Sequence, residues 1–211
     1  MVDAVAATRY PTPQVLRAVN VTAKASLLLM LATAVIYPEI GNMEDKAAGL
    51  RAVGYPMLAF TVPAIWYAFW RERASFPWLA DTLITLTCFT DILGNRMDLY
   101  DSIYWFDDWM HFINLGILAA AFILLTMAPT TQFWPILERG LAVGGTAAIL
   151  WEIAEYYAFI ATSSERRGAY RDTLGDLGLG MIGVVLAVVI IHSCWRQGYL
   201  RTVSPQLTNS M

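Results

Sequence analysis

Cysteine, histidine and charge are scarce in this 211-residue chain, which has two cysteines and two histidines. Cys88 falls inside an apolar segment and Cys194 falls near the end of another. Neither belongs to a Cys-x-x-Cys pair, so we expect packing roles for both rather than a disulfide or metal ligation. No Ser-His or Cys-His arrangement of a nucleophilic enzyme is evident. The chain also has no internal repeat and no linker.

Charged residues make up only 15% of the chain, whereas hydrophobic residues make up 57% and the mean hydropathy is +0.50. These values are typical of membrane proteins, and no polar stretch is long enough for a separate soluble domain. We therefore expect one integral membrane domain over residues 1–211, with membrane lipid rather than nucleic acid as its partner.

The apolar segments predict an all-α fold, a polytopic transmembrane helical bundle with about six spans of roughly 20 residues each. The third span has the weakest hydropathy because it contains Asp81 and Asp91. Pro56 and Pro63 predict a kink in the second span. The predicted spans are 19–37, 52–70, 78–94, 109–127, 136–160 and 177–195.

Charge counting predicts the orientation of these spans. Eight of the 14 basic residues fall on the side that carries both termini, a modest positive-inside bias, so we expect cytoplasmic termini in the inner (plasma) membrane. Thirteen of the 17 acidic residues fall on the opposite side. Because acidic residues contribute little to topology, this asymmetry indicates function.

Most of these acids form short motifs at the outer ends of the spans. A carboxylate in hydrocarbon costs roughly 2.5 kcal/mol or more, so several together need compensating cations. Residues three or four apart share one face of a helix, which pairs Asp108 with His111, Glu152 with Glu155 and Asp172 with Asp176. The motifs are Asp91-x3-Asn95-x2-Asp98, Asp101, Asp107-Asp108-x2-His111, Glu152-x2-Glu155 and Asp172-x3-Asp176.

Small residues continue two of these acidic faces into the membrane. Gly144 and Ala148 precede Glu152 at helical spacing, and Gly180 and Gly183 follow Asp176. Small residues let transmembrane helices approach closely. The acid-bearing faces are therefore predicted to be packing faces inside the bundle.

Carboxylates gathered in this way repel one another unless protons or a cation bind. With one histidine, they favour a hard or borderline divalent ion, which is Mg, Mn, Fe or Zn. The predicted metal ligands are Asp108, His111, Glu152, Glu155 and Asp176. Structural interpretations stay open, since Asp107 or Asp108 could cap a helix and Asp98 and Asp101 could be solvated loop residues.

Three of these phrases resemble the motifs of the uncharacterised bacterial YjdF-like inner-membrane proteins. They are YWFDDWMHF at 104–112, WEIAEY at 151–156 and YRDTLGDL at 170–177. The family's motifs run in the same order, as Asp-x-x-His-Phe, Glu-x-x-Glu-aromatic and Asp-Thr-x-x-Asp, and the resemblance covers roughly 91–189. More distantly, the chain is similar to VanZ-like proteins, which are linked to glycopeptide tolerance. The resemblance implies a site pattern and a membrane location but no particular reaction.

The leading functional hypothesis is a metal-dependent membrane hydrolase or transferase that acts on a lipid or lipid-linked head group. The candidate catalytic groups are Glu152, Glu155 and Asp172, and the candidate head-group ligands are Arg166, Arg167 and Arg171. Two alternatives stay open. The acids could form a transporter or proton and cation relay, or the chain could be a non-catalytic accessory subunit whose polar cluster locks helices together.

Overall fold

The computed structural model describes residues 10–39, 42–43, 46–158, 160–162, 168–203 and 205. Every regular element within them is helical, which confirms the predicted all-α class. The elements are α1 (Gln14–Ile36), α2 (Ala48–Ala59), α3 (Thr61–Ile65) continued by a π-helical turn (Trp66–Trp70), α4 (Trp78–Arg96), α5 (Leu99–Ser102), α6 (Phe106–Thr126), α7 (Phe133–Ala158), a 3-10 turn (Ile160–Thr162) and α8 (Ala169–Arg196).

Each predicted span overlaps one of these helical segments, but the segments differ in their apolar character. Among the described residues, α1, α6 and α8 are long and apolar enough to cross a membrane. The pair formed by α2 and the segment Thr61–Trp70 qualifies as a fourth span if counted together, and its 42° bend confirms the predicted kink. The helices α4 and α7, which carry the buried acids Asp81, Asp91 and Glu152, do not qualify, so six crossings stay a prediction.

Close helix packing at glycines holds the centre of the bundle. A Cβ atom at Gly183 on α8 would lie 1.9 Å from the carbonyl oxygen of Phe112 on α6, and one at Gly144 on α7 would lie 2.3 Å from Val184 Cγ2. Only residues without a side chain fit at such distances. The small-residue faces are therefore packing faces, as the sequence predicts.

The up-and-down order of the helices determines where the acidic motifs lie. The first turns of α6 and α8 and the last turns of α7 share one end of the bundle. His111, Glu152 and Asp176 are all buried at this end, with exposures of 7%, 8% and 3%. Three separate stretches of sequence thus contribute to one polar cluster.

Candidate metal centre

His111 lies at the centre of the cluster, between carboxylates from three helices. Its Nε2 atom is 3.5 Å from Asp107 Oδ1 on α6 and 4.0 Å from Asp176 Oδ1 on α8. Its Nδ1 atom is 3.6 Å from Glu152 Oε1 on α7. Each nitrogen of the imidazole therefore faces acidic oxygen.

These atoms form two groups that are compact enough to hold a metal ion. One group is Asp107, His111 and Asp176, and the other is His111, Glu152 and Glu155; within each, the ligand atoms lie within 4.8 Å of one another. Two ligands of one tetrahedral ion, each about 2.1 Å from it, lie about 3.4 Å apart. The distances from His111 to Asp107 and Glu152 are close to that value and longer than a normal hydrogen bond.

The cluster differs from the other buried acids in its charge balance. Asp81 pairs with Lys24 at 3.0 Å, and Asp91 pairs with Arg51 at 3.0 Å. By contrast, no Lys or Arg in the described part of the chain forms an ion pair with the cluster's four carboxylates, which belong to Asp107, Glu152, Glu155 and Asp176. Only the imidazole can carry positive charge among them.

One oxygen in the cluster also lacks a hydrogen bond. The Oε1 atom of Glu152 is buried and has no hydrogen-bond partner among the described residues. Leaving a buried acceptor unsatisfied costs about 1–3 kcal/mol, and more if it is charged. The orphaned oxygen faces His111 and Glu155, where a bound cation would satisfy it.

A second polar network borders the cluster, and it is complete without a ligand. Asp91 accepts hydrogen bonds from Arg51 Nε at 3.0 Å, from Tyr100 Oη at 3.1 Å and from the Tyr55 hydroxyl. Arg51 also donates to the carbonyl of Lys46. Sequence reasoning missed Arg51 and Tyr55, although their i,i+4 spacing places a cation and a hydroxyl on one face of α2.

A third network lies toward the opposite end of the bundle. Lys24 Nζ donates to Asp81 Oδ1, to Ala59 O at 2.5 Å and to Thr85 Oγ1 at 2.6 Å, while Asn20 donates to Asp81 Oδ2 at 2.9 Å. From the sequence, Lys24 was only one of the eight basic residues counted on the side of the termini. The intramembrane Asp81 was the signal for a buried cation, because such acids pair with one.

The acids between α4 and α6 have structural partners. Asn42 Nδ2 bonds Asp98 Oδ1 and Asp101 Oδ2, at 2.5 and 2.9 Å. Lys46 also pairs with Asp101, and this hydrogen bond lowers the pKa of the Asp101 carboxyl. Both acids thus have partners outside the cluster, although Asp101 lies in the short helix α5 rather than in a loop.

The remaining predicted site residues lie at the edge of the cluster. Asp108 and Asp172 are exposed and line the adjacent cavity, and Asp107 takes the position nearest His111 that the sequence analysis gave to Asp108. Arg171 is also exposed and lines the cavity. Arg166 and Arg167 lie outside the described residues.

The cavity next to the cluster has a volume of about 2100 Å³. Asp107, His111 and Glu155 line its polar end, and Arg139, two turns into α7, lines the other. Between these ends the lining is mostly apolar; it includes Leu58, Leu115, Leu118, Phe122, Ala142, Val143, Ala147 and Leu150. The site is thus open to a molecule much larger than an ion.

Residues 23–197 match the family model described as Predicted membrane protein (DUF2238). The match covers most of the chain, so the chain belongs to this family. No curated protein and no solved structure matches it. The match supports an uncharacterised membrane family, whereas the YjdF-like and VanZ-like resemblance stays a prediction.

Proposed function

We propose that this member of the DUF2238 family is a metal-dependent membrane enzyme that hydrolyses or transfers a lipid or lipid-linked head group. The observation that carries the proposal is the charge imbalance around His111, where four carboxylates have no Lys or Arg partner in the described residues. Several carboxylates cannot all stay ionised together without a cation. The orphaned Glu152 Oε1 adds independent support.

The proposed ligands of the ion are His111 Nδ1, Glu152 and Glu155. This group includes the orphaned oxygen, and Glu155 lines the cavity through which a substrate could approach. Asp107 and Asp176, whose Oδ1 atoms lie 3.5 and 4.0 Å from His111 Nε2, face the second nitrogen of the imidazole and are proposed to orient the ring. Metal-bound histidines commonly donate their second N–H to a carboxylate in this way. Zn, Mg, Mn and Fe all suit such a ligand set.

The ion would polarise a phosphoryl or carbonyl oxygen and activate a water molecule. Asp172 lines the cavity beside the cluster and is the proposed general base. Arg171 lines the same end and is proposed to bind an anionic head group, since a guanidinium matches phosphate geometry. Arg166 and Arg167 are proposed to assist it.

The proposed location is the inner (plasma) membrane, with cytoplasmic termini and the site at the extracytoplasmic face. This orientation rests on the basic residues of the sequence, eight of 14 falling on the side of the termini. A head group in the outer leaflet would then reach the cluster directly.

A proton or cation relay is the second candidate, because the cavity extends from the cluster to Arg139. A relay needs polar groups along its whole length. Between the two ends of the cavity, the uncharged polar side chains in its lining are Thr87, Asn114 and Thr146. Apolar residues outnumber them. This lining favours an amphiphilic substrate over an ion pathway.

The test is a head-group release assay on the purified protein. Membrane lipid extract is incubated with wild type, His111→Ala and Asp101→Asn, with Mg, Mn, Fe or Zn added in turn, and released head groups are identified by mass spectrometry. We expect release by wild type and by Asp101→Asn, whose carboxylate lies outside the cluster, and none by His111→Ala. Equal release by all three proteins, or none with any of these ions, would contradict the proposal.

A further inference from the structure

The cavity beside the cluster changes its chemistry with depth. At its polar end it is lined by Asp107, His111 and Glu155. Further along α7 the lining residues are Leu150, Ala147 and Val143, with Leu115 and Leu118 of α6 opposite. One continuous space therefore joins a charged site to an apolar groove. That combination matches an amphiphile with a polar head and a hydrocarbon chain.

The groove runs between helices that belong to different parts of the bundle. α2 packs on α1 and α4, whereas α7 packs on α6 and α8. At the polar end Tyr55 of α2 stacks on Trp151 of α7, with ring centroids 6.4 Å apart. Below this aromatic pair, Leu150 lines the cavity and is still 62% exposed. The groove therefore opens on the outer surface of the helix bundle, where lipid would surround the protein.

The apolar part of the groove, which lies between Glu155 and Arg139 of the cavity lining, is about as long as one leaflet of a bilayer is thick. Glu155 and Val143 are twelve positions apart on α7. At 1.5 Å per residue they are separated by about 18 Å along the helix axis. The hydrocarbon of one leaflet is about 15 Å thick, half of a core of about 30 Å. A chain whose head group lies at the cluster would therefore end near the middle of the membrane.

We infer that this groove, which is bounded by α2, α6 and α7, binds an acyl chain of a membrane phospholipid, which enters sideways from the bilayer and places its head group at the His111 cluster. This inference rests on the proposed function and names its substrate class. It makes Thr146 and Val143, which line the groove, determinants of lipid binding rather than of metal binding.

The test uses a phosphatidylglycerol that carries a diazirine near the end of one acyl chain. After irradiation in detergent micelles, the labelled residues of α7 are mapped by mass spectrometry. We expect label on the groove residues, and we expect Thr146→Trp and Val143→Trp to abolish it. Ile149→Trp is the matched control, because Ile149 lies on the same helix, is 53% exposed and does not line the cavity. It should leave the groove labelling unchanged.

Two results would overturn the inference. One is equal labelling of the groove residues and of Ile149 in the wild-type protein, a comparison that depends on no variant. The other is undiminished groove labelling in folded Thr146→Trp and Val143→Trp. Metal content measured on the same samples separates this inference from the proposed function. Groove labelling in a wild-type protein that binds no metal would support the lipid groove and contradict the metal site.

Discussion

Replacing Lys24 by methionine is expected to destabilise the protein strongly. Lys24 Nζ lies 3.0 Å from Asp81 Oδ1, and the Asp81 side chain is fully buried. Methionine fills a similar volume but cannot donate a hydrogen bond or carry charge. The substitution therefore leaves a buried carboxylate without its cation, and it also removes the donor to Ala59 O and Thr85 Oγ1.

The expected magnitude follows from the burial of the pair. Removing one partner of a buried ion pair costs about 3–5 kcal/mol, because the remaining charge stays buried and uncompensated. Since each 1.4 kcal/mol is a factor of about ten, the unfolding equilibrium constant should rise by roughly two to four orders of magnitude. The double variant Lys24→Met/Asp81→Asn removes both charges and keeps an acceptor for Asn20, so it should recover most of the loss.

The assay is reversible unfolding by sodium dodecyl sulfate in mixed micelles, followed by tryptophan fluorescence. Lys46→Met is the matched control, because its partner Asp101 has a side chain that is 56% exposed. Exposed pairs contribute about 0–1 kcal/mol, so the control should stay near wild type. The reasoning fails if Lys24→Met is no less stable than Lys46→Met, or if the double variant is as unstable as Lys24→Met alone.

Two further predictions concern packing and orientation. Gly183→Ala should destabilise the protein by about 1–3 kcal/mol or more, because its Cβ would meet the carbonyl oxygen of Phe112. In the control Gly178→Ala, the new Cβ meets nothing within 4 Å, so this variant should be neutral or slightly stabilised. Equal melting temperatures for the two variants would refute the packing argument. For orientation, Ser102→Cys should react with an impermeant thiol reagent added outside cells and Tyr199→Cys should not, and the reverse pattern would place the site at the cytoplasmic face.

Hydropathy located the helices well but missed their polar ends. The last span was predicted at 177–195, yet α8 is Ala169–Arg196 and so includes Asp172 and Asp176 in its first turns. The reason is physical, since hydropathy detects the part of a helix that lies in hydrocarbon. The helical turns that carry the site residues lie at the membrane surface and are polar, so a hydropathy search does not count them as part of a span. The acids of α4 and α7 lower their apolar character in the same way.

The partners within the networks could be predicted only in part. Helical spacing predicted that Glu152 and Glu155 share a face, and both belong to one compact ligand group. It paired Asp108 with His111 and passed over Asp107, although i,i+4 pairs are neighbours on a helix as i,i+3 pairs are. In the structure, Asp107 Oδ1 lies 3.5 Å from His111 Nε2, whereas the Asp108 side chain is exposed. Which acid faces the interior of the bundle depends on tertiary packing, which one sequence does not show.

Pairs between distant helices were not predictable from one sequence. Arg51 and Asp91 are 40 residues apart, and Lys24 and Asp81 are 57 apart. Periodicity reports which residues share a face of one helix, but it carries no information on which helices adjoin. The requirement for a cation near a buried acid was predictable, whereas the identity of the cation was not.

Metal content with and without the Glu155 carboxylate tests the proposed metal site most directly. Purified wild type, Glu155→Gln and Asp101→Asn are analysed by inductively coupled plasma mass spectrometry, and their melting temperatures are measured on the same samples. Glutamine keeps the size of the side chain but removes its charge, and metal ligands must be deprotonated to bind. The account predicts a stoichiometric divalent metal in wild type and Asp101→Asn, and its loss from folded Glu155→Gln. Unchanged metal content in Glu155→Gln, or a wild type without metal, would contradict it; a raised melting temperature of Glu155→Gln in the second case would favour a purely structural cluster.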